Sequence, residues 1–200
     1  FTKAIDLNPE HGSAFYYQGI INENIMEIDN AIYAYNQAIE FSPNIEDIYY
    51  RLGMLLYRTG NLKESMEPLR KFVIFQPESL LVLETLGEVF ISEHRYSEAI
   101  DTYQRLKIFY PEKLDYNLNL AESFWQLQQF SKAKDIYENI LLFNDENYSV
   151  MISLAEAYNI LGDYVEAENI YNKIINCIIP TADVYYHLAL IFGNQQKYMS

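Results

Sequence analysis

Glu88, Glu122 and Glu156 are the residues of this sequence best spaced to do chemistry together, each standing thirty-four positions from the next. Carboxylates set side by side by a recurring element attract a lysine or arginine side chain by summed Coulomb energy, and that capture is the chemistry the trio predicts. The alternative is three ordinary solvated charges. Nothing else in the chain assembles a reaction. There is no glycine-rich phosphate loop, no His-Glu-x-x-His, no Gly-x-Ser-x-Gly and no Cys-x-x-Cys. His11, His94 and His187 stand far apart, and the single cysteine, Cys177, has no sequence neighbour to work with. Packing or surface roles are expected of all four rather than metal ligation. The remaining carboxylates are spread as on solvated helix faces, not converged as an acid–base pair. The expectation is a protein without catalytic residues, cofactor or metal.

The element that positions the glutamates is a thirty-four-residue unit that recurs from end to end. From Gly87 the step reaches Gly19 and Gly53 backwards, then Ala121, Ala155 and Ala189 forwards. Leu86 shares its phase with Leu52, Leu120, Leu154 and Leu188, Gln18 departing; Phe90 shares its phase with Leu56, Phe124, Tyr158 and Phe192, Asn22 departing. Ala99 aligns with Ala31, Ser65, Ala133 and Ala167, and Tyr103 with Phe1, Tyr35, Leu69, Tyr137 and Tyr171. Pro111 recurs at Pro9, Pro43 and Pro77, gives way to Asp145, and returns one place late at Pro180. A fixed period of this length is the mark of a stacked repeat.

Within residues 80–113 the spacing predicts two amphipathic helices. Leu83, Leu86, Gly87 and Phe90 make one face of a first helix over about 80–93. His94, Arg95 and Tyr96 form the turn, Ser97 is the expected N-cap, and Ala99, Ile100, Tyr103, Leu106 and Phe109 mark the second helix. Pro111 ends the unit. The Gly87 column lets the partner helix approach closely, and Gly60 and Gly162 suit a left-handed C-cap between paired helices. Pro68 falls inside a second helix and predicts a kink there, either harmless or a hinge. A lone helix pair cannot bury its apolar face, so each unit leans on the next.

Leu83-x2-Leu86-Gly87-x2-Phe90, then Ala99-x3-Tyr103, then Pro111, resembles the tetratricopeptide repeat (TPR) pattern over essentially all 200 residues. The resemblance implies an all-α, right-handed superhelical solenoid of stacked antiparallel helix pairs. The expected organisation is one array: the end of a preceding repeat at 1–11, full repeats at 12–45, 46–79, 80–113, 114–147 and 148–181, and the first helix of another at 182–200. Because Phe1 opens in the phase of a second helix, the array is expected to be a segment of a longer protein. In TPR proteins the first helices line a concave groove for a partner peptide or helix. Mapped by phase, the groove residues are Tyr16, Tyr17, Ile20, Tyr50, Arg51, Met54, Tyr57, Glu84, Thr85, Glu88, Asn119, Glu122, Trp125, Glu156, Asn159 and His187. The glutamates would then form a row inside that groove. Tyr16, Tyr17, Tyr50, Tyr57 and Met54 suit an apolar anchor, and Trp125 a hot spot; stacking between repeats is the other role for Tyr57 and Trp125. The two-cation clamp of TPR domains that hold chaperone tails does not map: its positions carry Tyr16, Ile20, Arg51, Leu81 and Thr85. Nor does the asparagine run of sugar-transferase arrays, whose column reads Tyr17, Arg51, Thr85, Asn119, Ser153 and His187 here.

Composition agrees with a packed, acidic array. Half the residues are hydrophobic and 16% aromatic, enough for a substantial core. Only 14 Lys and Arg stand against a net charge of −14, which argues against nucleic acid and against a membrane surface as partner. No run reaches the roughly 18 apolar residues of a membrane span. The favoured function is a protein-interaction scaffold holding a basic or aromatic-anchored segment. The runner-up is a substrate-recruiting arm of an enzyme whose catalytic domain lies elsewhere. Self-association through Phe1, Ile5, Leu188 and Phe192 is a further expectation. The compartment stays open, with the cytoplasm slightly preferred.

Overall fold

In the computed structural model, residues 10–177 and 182–199 are described, with side chains for all of these except 177, 183 and 194–199. Expectations placed on Phe1, Ile5, Pro9, Pro180 and the Cys177 side chain lie outside that set. Eleven described helices follow in order: α1 (Gly12–Asn24), α2 (Ile28–Phe41), α3 (Glu46–Arg58), α4 (Leu62–Phe75), α5 (Leu80–Ser92), α6 (Tyr96–Phe109), α7 (Leu114–Gln126), α8 (Phe130–Phe143), α9 (Tyr148–Leu161), α10 (Tyr164–Cys177) and α11 (Ala182–Met199). The described residues hold no strand. Both helix series start at thirty-four-residue steps, one from Gly12 and the other from Ile28. The fold is an all-α solenoid of TPR type.

The chain divides into two compact units, Phe1–Glu98 and Ala99–Ser200. In the first, α1 packs on α2 and α3 on α4, around Phe15, Ala31, Tyr35, Ile48, Leu52 and Leu56. In the second, α7 packs on α8 and α9 on α10, with Met151, Ala155, Ala167, Tyr171, Ile174 and Ile191 in one core. These are the recurring columns of the sequence, and each fully buried large side chain among them is worth about 1.5–3 kcal/mol. The small-residue column does what its spacing predicts. A Cβ on Gly19 would sit 2.5 Å from the Tyr35 ring, and one on Gly53 would sit 2.6 Å from Leu69 Cδ2. Tyr35 and Leu69 share one phase, so the same pair of positions sets helix separation in both repeats.

Every turn between a first and a second helix is the same hydrogen-bonded device. Met26, Gly60, His94, Gln128 and Gly162 all have positive φ, between 57° and 90°. The next N–H in each case returns to a carbonyl five residues back: Glu27 to Asn22, Asn61 to Leu56, Arg95 to Phe90, Gln129 to Phe124 and Asp163 to Tyr158. This is a Schellman closure, in which the left-handed residue lets the last carbonyls of the helix find donors. It also corrects the N-cap expectation. With Arg95 N–H engaged, Tyr96 already begins α6, so Ser97 lies inside the helix. Met26 and Gln128 pay a left-handed penalty that glycine escapes. Met26→Gly and Gln128→Gly are each expected to stabilise the fold by about 0.5–1 kcal/mol, read as a higher urea midpoint at unchanged slope.

Pro68 does not divide its helix. α4 runs unbroken from Leu62 to Phe75 with Pro68 buried inside it. The ring lines a cleft with Ile32, Leu52 and Leu56, so packing against α2 and α3 holds the helix across the lost donor.

Candidate functional site

Adjacent first helices meet in one register. Tyr16 Oη donates to Asp47 Oδ2 at 2.5 Å, Thr85 Oγ1 lies 3.9 Å from Met54 Sδ, Tyr57 Oη donates to Glu88 Oε2 at 2.6 Å, and His187 Nε2 lies 3.6 Å from Glu156 Oε1. Each contact spans thirty-one residues, three less than the repeat, because facing helices touch nearly one turn out of phase. Of the residues expected to line a groove, Tyr16, Tyr17, Ile20, Tyr50, Arg51, Met54, Tyr57, Glu84 and Glu88 lie on α1, α3 and α5 of the first unit. Asn119, Glu122, Trp125, Glu156, Asn159 and His187 lie on α7, α9 and α11 of the second.

Several of these side chains are already engaged. Arg51 Nε donates to Asp47 at 2.6 Å, and Arg51 also lies 3.7 Å from Glu23, so it ties α3 to α1 rather than standing ready for a ligand. Thr85 is buried and donates to the Leu81 carbonyl, which takes it out of a ligand's reach and off the surface expected for it. Tyr50 packs on Phe72 with ring centroids 5.3 Å apart, Tyr16 on Tyr17 at 5.1 Å, and Trp125 edge-on to Phe130 at 5.0 Å. Tyr17 remains half-exposed. Glu88 and Glu122 are exposed, and Glu156 is half-buried.

Two features escaped the sequence reading. Glu23 is the hub of the first unit: its mostly buried carboxylate accepts from Tyr35 Oη at 2.7 Å and from Arg58 at 2.5 Å, with Arg51 alongside. It shares the phase of Tyr57, Ile91, Trp125, Asn159 and Gly193, so the one acid in an otherwise uncharged column was the available signal. The second feature is a set of phenols rising from the second helices beneath the first-helix face, each meeting the residue sixteen places on. Tyr103 Oη accepts from Asn119 at 2.9 Å, Ser153 lies beside the Tyr137 phenol, and the Tyr171 ring stacks on His187 with centroids 6.1 Å apart. The Tyr171 hydroxyl is buried with no hydrogen-bond partner among the described residues.

The electrostatics of these phenols are legible. Burial, then the bonded Glu23, lifts Tyr35 above the ordinary phenol range. Burial and the nearby Glu156 do the same for Tyr171. Tyr137 is raised by burial and by the charges of both Glu122 and Glu156. Tyr158 is pushed up to about 12, first by its hydrogen bond to Glu138. A phenol raised in the fold contributes stability that is whole below the unfolded value of about 10 and is lost as pH climbs past it. At pH 11 each strongly raised phenol should cost about 1.4 kcal/mol relative to pH 8. Urea melts at the two pH values are expected to show a loss of at least that size. Tyr35→Phe and Tyr171→Phe should shrink it.

Among the described residues no cluster of three potential metal ligands occurs, and no helix is long and apolar enough to cross a membrane.

Comparison with known proteins fits this architecture. A family model described as TPR repeat matches residues 27–60, and one described as tetratricopeptide repeat matches residues 118–179. No curated protein matches the sequence. Among solved structures, a tetratricopeptide repeat protein from Parabacteroides merdae is similar with a TM-score of 0.61 at 18% identity, covering 93% of this chain and 74% of its own. MamA AMB-1 is similar with a TM-score of 0.63 at 18% identity, over 88% of this chain and 96% of its own. YrrB, described as a TPR protein with an unusual peptide-binding site, has a TM-score of 0.62 at 16% identity over 98% and 97%. The chain carries tetratricopeptide repeats at residues 27–60 and 118–179. In general terms such repeats support a protein-interaction scaffold.

Proposed function

We propose that the first-helix face receives a basic segment of a partner protein, and that Glu122 and Glu156 are its principal contacts in the second unit. The observation that carries this reading is the company these carboxylates keep. The partners of Glu88, Glu122 and Glu156 are Tyr57, Gln126 and His187, with no lysine or arginine among them in the described residues. Elsewhere Glu23, Glu98 and Glu138 are each paired with a cation of the chain itself. Three glutamates of one phase therefore keep their charge for something outside the chain. Glu122 and Glu156 both exert their charge on the Tyr137 phenol, and together they are assigned to one ammonium or guanidinium of the partner. A net charge of −14 steers basic partners in and nucleic acid away. Half-exposed Tyr17 offers an aromatic contact in the first unit. That YrrB is described as peptide-binding supports a peptide-sized ligand for this fold.

The test is Glu122→Lys with Glu156→Lys, titrated with a fluorescent hexalysine peptide at low and high salt. Exposed charge pairs are worth up to about 1 kcal/mol each, so reversing two should weaken binding about 10-fold or more and flatten its salt dependence. Unchanged affinity and unchanged salt dependence would remove the basis of the proposal.

A further inference from the structure

A cleft on the second-helix side departs from the repeat's own pattern. It lies between α6, α7 and α8, has a volume of about 530 Å³, and is walled by Pro111, Leu114, Ile136, Ile140 and Phe143. Equivalent clefts occur between α2, α3 and α4 and between α8, α9 and α10. One wall position of all three belongs to a single column, which reads Ile39, Val73, Lys107, Leu141 and Ile175 along the chain. Four repeats place an aliphatic side chain there. The third places Lys107, half-buried and lining the cleft.

An ammonium withdrawn from water needs a counter-charge. Among the described residues Lys107 has no hydrogen bond or ion pair, and Glu112, which also lines the cleft, is not bonded to it. Burial alone holds its ammonium below the ordinary lysine range, with no carboxylate pulling the other way. A sequence that breaks its own packing rule at a cost, with no internal partner for the result, marks a functional position. The apolar walls grade from a buried floor at Ile140, through half-buried Ile136, to Phe143, which is 77% exposed and uncovered. An apolar pocket with one fixed cation recognises a large apolar side chain next to a carboxylate.

We infer that the α6–α7–α8 cleft is a second docking site, which takes a short hydrophobic–acidic segment of a partner protein, its apolar side chain against Ile136, Ile140 and Phe143 and its carboxylate on Lys107. The site stands apart from the first-helix face and from the proposal made for it, and its preferred charge is the opposite.

The test uses the full chain and two fluorescein-labelled peptides, Gly-Leu-Phe-Asp-Gly and its Asn counterpart. The Asp peptide is expected to bind at least 10-fold more tightly than the Asn peptide. Lys107→Met should abolish that preference while leaving the melting curve unchanged or higher, since the column tolerates aliphatic residues. Glu122→Lys with Glu156→Lys, whose failure bears only on the first-helix face, should leave the preference intact. Equal binding of the two peptides up to millimolar concentration, or a preference that survives in Lys107→Met, overturns the inference. So does a dimer by sedimentation that Lys107→Glu dissociates, because the occupant would then be a second copy of the chain.

Discussion

Gly53→Val is expected to destabilise the Phe1–Glu98 unit by about 2–4 kcal/mol, one of the two largest single-residue effects the structure predicts. The first carbon alone would lie 2.6 Å from Leu69 Cδ2 and 3.1 Å from the Leu69 backbone nitrogen, and valine adds two methyls beyond it. Leu69 is fully buried, so it has no free space to enter, and relief must come from moving α3 away from α4. Helix propensity offsets only a few tenths of a kcal/mol. Gly19→Val should behave alike against the buried Tyr35 ring. Gly193→Ala is the control: among the described residues nothing lies within 4 Å of its Cβ position, and no loss is expected. Urea unfolding gives the magnitude. Hydrogen exchange should localise the loss to α3 and α4, because repeat arrays open unit by unit.

Glu23→Ala should cost about 2–3 kcal/mol in the same unit. Its carboxylate accepts from Tyr35 Oη and Arg58 and pairs with Arg51 at 3.7 Å, and its removal leaves a buried phenol without its acceptor and two guanidiniums without their common anion. A fully buried pair would cost more on breaking, but the Arg51 and Arg58 side chains are 36% and 57% exposed, and water recovers part of the loss. A double-mutant cycle of Glu23→Ala with Tyr35→Phe isolates the phenol bond, for which a coupling of about 1–2 kcal/mol is expected. Coupling near zero would mean that the bond does not hold α2 to α1.

How far the sequence could be read follows from which interactions obey the period. Helix pairs, their starts and the close approach at Gly19 and Gly53 depend on side-chain size alone, which repeats every thirty-four residues and is visible in one sequence. The left-handed turn residue obeys the same period, yet only Gly60 and Gly162 show it by type. Met26, His94 and Gln128 adopt the conformation because the Schellman bonds over-determine it, and a backbone hydrogen bond leaves no residue type behind. Polar partners were the hardest to see. Arg51 looked like a groove residue because its phase is right, but its charge is spent on Asp47 and Glu23, four-residue and twenty-eight-residue contacts that no single column displays. Thr85 faces the neighbouring Met54 instead of a ligand for the same reason. Lys107 is the reverse case: its departure from an aliphatic column was legible, but its isolation needed coordinates.

The central claim, that carboxylates of one phase with no lysine or arginine partner make the first-helix face a receptor for basic chain, is tested most directly by amide and methyl chemical-shift mapping with hexalysine. The predicted result is a set of perturbations at Glu122, Tyr137, Ser153 and Glu156 that disappears in 0.5 M salt, where the Debye length falls to about 4 Å. Perturbations confined to the outer surfaces of α6 and α8, or none at all at low salt, would contradict it.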